Sequence, residues 1–240
     1  MAKMLINDKN KKFIVKDDAD ELHTNYGLIK NLKKAKLNSK VKSNTGHEFT
    51  LIKADFIDLY RKIKRKAQII PLKDIGLIIT ETGLNKDSIV IEAGAGSGAL
   101  GCFLAKICSK VYSYEIREDF YNVVKKNIEH LGIEKLVLKN KDAKKGFNEK
   151  DVDVVILDLP DPWELINVAK KSLKIGGFLV SYSPTVPQVM DFVNKLGDGF
   201  LHLKTAEIIE REWDIKDRKV RPKSQAIGHS GFLTFTRKIK

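Results

Sequence analysis

Apolar and polar positions alternate in short runs over the first 52 residues, and then the period lengthens. Lys12-Phe13-Ile14-Val15, Gly27-Leu28-Ile29, Lys40-Val41-Lys42 and Phe49-Thr50-Leu51-Ile52 read as strands. They are separated by turn signals at Asn25-Tyr26-Gly27 and Asn44-Thr45-Gly46. Between Ala54 and Lys66, Phe56, Leu59, Tyr60 and Ile63 fall on one helical face, with Arg61, Lys62, Lys64, Arg65 and Lys66 on the polar side. This pattern predicts a small basic β domain with a linker helix at 1–66 and a second domain at 67–240.

In the second domain strands and helices alternate. Strands are predicted at Ser88–Ala93, Val111–Tyr114, Leu136–Leu138, Val152–Leu157 and Gly177–Tyr182, and helices at Leu100–Ser109, Glu118–Leu131, Trp163–Leu173 and Val186–Leu196. Val152–Leu157 is almost continuously apolar, as expected of a parallel strand covered on both faces. Two final strands, near Lys204–Glu210 and Phe232–Arg237, have no helix between them and are expected to close the sheet as an antiparallel hairpin. The reading is an α/β fold with a doubly wound, Rossmann-like sheet.

Composition changes the picture in one respect. Lys and Arg total 44 against 31 acidic residues, a net charge of +13. Such an excess favours a polyanionic partner through phosphate neutralisation and counterion release. Cys102 and Cys108 lie six positions apart among apolar residues, with no second Cys or His at ligand spacing, so reduced buried thiols and no metal are expected. No apolar run approaches membrane-spanning length, and a cytoplasmic protein is expected.

The chemistry concentrates at the ends of the predicted strands. Glu92-Ala93-Gly94-Ala95-Gly96-Ser97-Gly98 is a strand end, a glycine-rich turn and a helix start, with Leu100 in the following turn. Its spacing departs from the dinucleotide fingerprint, and its leading residue is a carboxylate. A ligand with a cationic amino-acid portion and no phosphate suits it, and S-adenosylmethionine is such a molecule. Glu115 ends the next strand, where ribose hydroxyls bind in such folds, and Asp142 follows the third, in reach of an adenine amino group. Asp158 directly follows the fourth strand, in Leu157-Asp158-Leu159-Pro160-Asp161-Pro162-Trp163. A carboxylate there accepts hydrogen bonds from an exocyclic amine and stabilises positive charge on an alkylated ring nitrogen. Trp163, at a helix start, reads as packing or as a stacking surface for a base.

These motifs resemble the tRNA (adenine-N1)-methyltransferases that act at position 58, and in archaea also at 57. His23-Thr24-Asn25-Tyr26-Gly27 and Asn44-Thr45-Gly46-His47-Glu48-Phe49 are similar to that family's small β-barrel. Leu157 to Trp163 resembles its Leu-Asp-Leu-Pro-x-Pro-Trp motif. Glu210-Arg211-Glu212-Trp213, Arg221-Pro222 and Gly228-His229-Ser230-Gly231-Phe232-Leu233 resemble its tail. The resemblance implies a class I S-adenosylmethionine-dependent fold with a barrel-like N-terminal domain, tRNA as substrate and a homotetramer. It makes Asp158 the catalytic carboxylate and Glu115 the ribose ligand, and puts Gln68 in a segment covering cofactor and base. The expected cofactor-binding set is Gln68, Glu92, Gly94, Gly96, Ser97, Gly98, Leu100, Glu115, Asp142 and Asp158. One element departs: the family's Gln-x-x-Tyr-Pro-Lys-Asp is here Gln68-Ile69-Ile70-Pro71-Leu72-Lys73-Asp74, without the aromatic. His229 is expected to be structural, because adenine N1 has a free lone pair and needs no base. Arg211, Arg221 and Lys223 read equally as RNA or subunit contacts. The competing readings are methylation of a small molecule such as a corrinoid precursor, and a non-catalytic RNA-binding subunit.

Overall fold

The computed structural model describes residues 2–240 and divides into two compact units, one ending at Ile63 and the other beginning at Lys64. The first unit contains β1 (Lys3–Ile6), β2 (Lys12–Val15), β3 (Leu22–Thr24), β4 (Gly27–Ile29), β5 (Ser39–Lys42), β6 (Glu48–Lys53) and a short α1 (Phe56–Tyr60). Four strands form an antiparallel sheet in the order β2-β1-β6-β5, and β3 and β4 make a separate hairpin. Leu5, Val15, Ile29, Leu32, Phe49 and Leu51 make their shared core. The barrel-like domain is thus built from two sheets. Its Gly27 and Asn44 motifs are structural: Asn44 Oδ1 accepts from Leu28 N at 2.8 Å, and Thr45 Oγ1 donates to Tyr26 O at 2.6 Å.

The helix expected from Ala54 to Lys66 is confined to α1. A local turn carries the chain to Ile63, with Arg61 N donating to Ile57 O at 3.2 Å and Ile63 N to Tyr60 O at 3.2 Å, and from Lys64 on the backbone is satisfied elsewhere. Asn127 Oδ1 accepts from Lys64 N at 2.9 Å, and Asn127 Nδ2 donates to Lys64 O and Ser97 O, both at 2.8 Å. Ser97 Oγ accepts from Lys66 N at 3.0 Å. Partners outside the segment replace the helical ladder, and no local pattern reveals them. Arg61, Lys62, Lys64, Arg65 and Lys66 remain exposed. Asn127→Ala is expected to cost about 2–4 kcal/mol, because it leaves three polar groups unpaired around a side chain only 1% exposed. The check is a lower midpoint in urea with an unchanged slope.

The second unit contains α2 (Leu72–Thr82), β7 (Ile89–Ala93), α3 (Ala99–Leu104), β8 (Lys110–Tyr114), α4 (Glu118–Leu131), β9 (Leu136–Lys139), β10 (Val152–Leu157), α5 (Ile166–Ser172), β11 (Leu173–Ser183), α6 (Val186–Asn194), β12 (Phe200–Ala206), β13 (Trp213–Lys216), β14 (Lys219–Pro222) and β15 (Phe232–Lys238). Seven strands form the sheet β12-β15-β11-β10-β7-β8-β9. The strands from β11 to β9 run parallel, while β15 is antiparallel to both β11 and β12. This is the doubly wound class I arrangement, with its order reversing beside β7.

The closing strands differ from expectation in two ways. The penultimate strand of the sheet lies at Phe200–Ala206, ahead of Lys204–Glu210, and β15 inserts between it and β11. Between them, 207–231 carries an unpredicted hairpin, β13–β14. Charged residues at 210–212, 214 and 216–219 conceal its alternation. Helix α3 ends at Leu104 instead of Ser109, and Trp163 lies in a 3-10 turn, Pro162–Leu165, that precedes α5.

Candidate active site

Reversal of strand order beside β7 opens a crevice at the carboxyl ends of β7 and its neighbours. Into this edge the chain delivers Gly94–Gly98 after β7, Glu115 after β8, Asp142 after β9 and Asp158 after β10. The glycine elbow requires its residue types. Gly94 sits at φ +90°, and a Cβ there would lie 2.0 Å from the carbonyl oxygen of Asp158. Gly98, at φ +76°, is the N-cap of α3 and would strike Val124. The elbow is therefore pressed onto the loop that carries Asp158, and Asp158 N donates to Ala93 O at 2.9 Å.

Glu115 is 4% exposed and organises the elbow. One carboxylate oxygen accepts from Gly96 N at 2.9 Å and the other from Arg117 N at 3.0 Å. Each oxygen retains a lone pair for a ligand. Asp142 caps a 3-10 turn by accepting from Lys144 N at 2.9 Å. Gly94, Glu115, Asp142, Ala143 and Leu159 are among the residues lining one cavity of about 320 Å³. Ile116, 62% exposed, lines it too. It was not singled out from sequence, although an apolar side chain directly after the ribose-type carboxylate is a readable signal.

Asp158 stands at the crevice edge, and its carboxylate has no hydrogen-bond or ion-pair partner among the described residues. Burial, and secondarily the nearby charge of Glu115, push it up to about 7. Glu92 is placed differently from expectation. It is 2% exposed and lies under α3, where it accepts from Gly101 N at 3.2 Å and from Ser113 Oγ. Burial pushes its carboxyl up to about 8. It supports the elbow from beneath instead of facing a ligand, and Gly101 packs so closely on it that any side chain there would collide.

Ser97 and Leu100 are also turned inward, at 2% and 3% exposure. Ser97 docks the 66–67 backbone onto the elbow, which brings the segment of exposed Gln68 to this edge. Trp163 packs against the core, with Lys195 Nζ 5.1 Å above its ring. His229 has both ring nitrogens engaged, one with the Glu207 carboxylate and the other with Pro184 O at 2.8 Å. Those contacts raise its pKa, Glu207 first, and make it an anchor for the tail. Cys102 and Cys108 are free and buried, pushed up to about 12 and about 11 by burial. No group of metal-ligating side chains occurs among the described residues.

The residues suit a compact cationic ligand. Glu115 and Asp158 border the elbow, with Glu92 buried beneath it, and among the described residues the one cation paired with any of them is Arg117, 3.7 Å from Glu115. A pyrophosphate would meet the two carboxyl groups of Glu115 and Asp158 here. A sulfonium would meet the counter-charge it lacks, and the cavity beside it has apolar walls at Ile116, Ala143 and Leu159 for a purine.

Comparison with known proteins agrees. Residues 59–224 match the family model described as tRNA methyltransferase complex GCD14 subunit. The chain is 35% identical to the tRNA (adenine(57)-N(1)/adenine(58)-N(1))-methyltransferase TrmI of Methanocaldococcus jannaschii, over 98% of this chain and 94% of that protein. The structure of a SAM-dependent O-methyltransferase from Thermotoga maritima is similar throughout, with TM-score 0.91, 29% identity and coverage of 100% and 93% of the two chains. That of the tRNA (m1A58) methyltransferase TrmI from Aquifex aeolicus gives TM-score 0.85, 26% identity and coverage of 100% and 97%. The chain belongs to the tRNA methyltransferase family that the GCD14 model describes.

Proposed function

We propose that this chain transfers a methyl group from S-adenosylmethionine to N1 of adenine in tRNA, at position 58 and, as in the archaeal relative, also at 57. The observation that carries the reading is the unpartnered Asp158 carboxylate beside the glycine elbow, in a chain whose extensive relatives bear this activity. The small-molecule and non-catalytic readings do not account for that combination.

S-adenosylmethionine supplies an electrophilic methyl on a sulfonium. Glu115 would hold its ribose hydroxyls, Asp142 would accept from its adenine amino group, and Ile116 and Leu159 would offer the ring apolar walls. Gly94 and Gly96 let the backbone approach. Gln68, carried by the segment docked on Ser97, covers the site. Glu92 and Gly98 keep the elbow in shape, and Leu100 seats α3 in the core. Asp158 accepts a hydrogen bond from the exocyclic amine of the target adenine and stabilises the positive charge that develops on its ring. Adenine N1 attacks with its own lone pair, so no residue has to remove a proton from it. The target base must leave its stack to reach this edge.

Mass spectrometry of nuclease-digested tRNA after incubation with the protein and labelled donor tests the function. N1-methyladenosine is the expected product; a ribose-methylated product, or none, overturns it. The net charge of +13 and the exposed basic run at 61–66 further predict that tRNA affinity falls steeply with salt. A protein making about six phosphate contacts loses roughly 10³-fold between 50 and 200 mM salt. Filter binding across that range checks it, while donor affinity should barely move.

Acidity gives a second expectation. Asp158 is held up to about 7, so below that pH it carries a proton and offers a cation no counter-charge. Donor affinity therefore rises with pH through this window. If the protonated form binds about tenfold more weakly, the change from pH 6 to pH 8 is about fivefold. Calorimetric titration at both values measures it, and the Asp158→Asn variant should flatten the dependence.

A homo-oligomer, specifically a tetramer, completes the reading. Strand register in the β13–β14 hairpin puts Trp213, Ile215, Val220 and Pro222 on one apolar face, and Trp213, Ile215 and Val220 are more than half exposed. An isolated two-stranded hairpin is marginal in water, and a second copy is a fitting cover. Action on tRNA implies a cytoplasmic enzyme; no helix among the described residues is long and apolar enough to cross a membrane.

A further inference from the structure

A buried polar cluster lies outside the cofactor crevice. Lys73 Nζ donates to Asp74 Oδ1 at 2.7 Å and to Ser230 Oγ at 2.6 Å. Ser230 Oγ in turn donates to Asp74 Oδ2 at 2.8 Å, and the Tyr182 hydroxyl donates to Ser230 O at 2.6 Å. Asp74, Tyr182 and Ser230 are 1%, 7% and 8% exposed. The cluster joins three segments far apart in sequence: the start of α2, the end of β11 and the turn that enters β15.

Burying an ion pair is costly, and a fully satisfied one holds a single arrangement where apolar contacts would allow several. Its location says what is being held. Register pairs Leu157 with Ser181, so Tyr182 stands beside Asp158 at the sheet edge, and the Asp158 charge acts on the Tyr182 hydroxyl. Gly231 sits against the Tyr182 ring, where a Cβ would lie 2.5 Å from it. The largely exposed excursion 207–231 returns to the sheet at this point. With Pro71 and Lys73, its residues Glu210, Glu212, Asp214 and 223–227 border a cavity of about 550 Å³. That cavity is distinct from the one lined by Glu115 and Asp142.

We propose that Tyr182, Asp74 and Ser230 are positioning residues that fix the 223–231 stretch beside Asp158 and so align the acceptor base, without touching the methyl donor. This rests on the methyltransferase reading above. Loss of the lock leaves donor binding intact and misaligns the acceptor, and misplacement near the reacting atoms is expensive in rate.

The experiment compares Tyr182→Phe, Ser230→Ala and the conservative Ser230→Thr with the wild type. Steady-state tRNA methylation, calorimetric titration of the donor and amide hydrogen exchange of 223–231 are measured on each. The first two variants are expected to lower kcat about tenfold with donor Kd within twofold, and to speed exchange in 223–231. Ser230→Thr, which keeps the hydroxyl, should restore both. A parallel loss of donor affinity, unchanged kcat, or failure of Ser230→Thr to rescue overturns the proposal. If the wild type forms no N1-methyladenosine, the function itself fails, whereas the exchange data still report whether the lock exists. Should Tyr182→Phe not fold, the Ser230 pair decides.

Discussion

Asp158→Ala should abolish nearly all methyl transfer while the protein still binds its donor. The carboxylate has no partner among the described residues, so its removal orphans no hydrogen bond there and leaves the elbow intact. What is lost is the acceptor for the adenine amine and the negative charge facing a ring that becomes cationic. Removing one such electrostatic group costs about 10²- to 10³-fold in kcat. Donor affinity should weaken by no more than about tenfold, the same factor as protonating this residue. Single-turnover methylation of tRNA, alongside calorimetric titration, separates the two effects. Wild-type turnover would remove Asp158 from the mechanism, and complete loss of donor binding would make it a cofactor ligand alone. Asp158→Asn keeps the shape but offers a neutral amide, and it should recover little.

The second large effect is expected from one methyl group. Gly94→Ala sets a Cβ at 2.0 Å from the Asp158 carbonyl oxygen, at a backbone angle of +90° that side chains rarely adopt. The far atom belongs to main chain, so it cannot swing aside. Strain and overpacking together should cost about 2–5 kcal/mol. In a unit of this size that lowers Tm by roughly 4–20 °C. The same displacement moves the Asp158 loop and the backbone that approaches the donor, so donor affinity should fall more than 100-fold. Differential scanning fluorimetry with and without donor reads both. Gly83→Ala, at the close of α2, is the control, because it shares a left-handed backbone angle, +66°, but a Cβ there meets nothing within 4 Å. A Gly94→Ala protein as stable as the wild type would show that the elbow and the Asp158 loop are less tightly apposed than described.

Much of the site was legible because its chemistry is local. Gly94–Gly98 is a turn whose residue types are dictated by its own backbone angles. Glu115, Asp142 and Asp158 each follow an apolar strand, so their common edge follows from parallel topology. The 14-residue α4 was readable end to end, from acids in its first turn to Gly132 in the left-handed conformation at its close. Glu92 shows where such reading stops. From sequence it leads into the elbow like a ligand; in space it turns under α3 to Gly101 and Ser113. Strand position tells which face a side chain leaves by, but a helix packed over that face decides whether it meets solvent or core.

The primary structure on its own determined the doubly wound fold, the strand-end carboxylates and the preference for a cationic ligand, because periodicity, glycine placement and charge act over a few neighbouring residues. Tertiary structure alone decided three things: that 61–66 is no helix, that β15 slips between β11 and β12, and that Lys73, Asp74, Tyr182 and Ser230 meet. Each depends on hydrogen bonds between residues far apart in sequence, such as Lys66 and Ser97 at 31 positions, Leu179 and Thr236 at 57, and Lys73 and Ser230 at 157. The free energy of such contacts exists only once the chain has closed the loops between them, and no short window of residues carries that information.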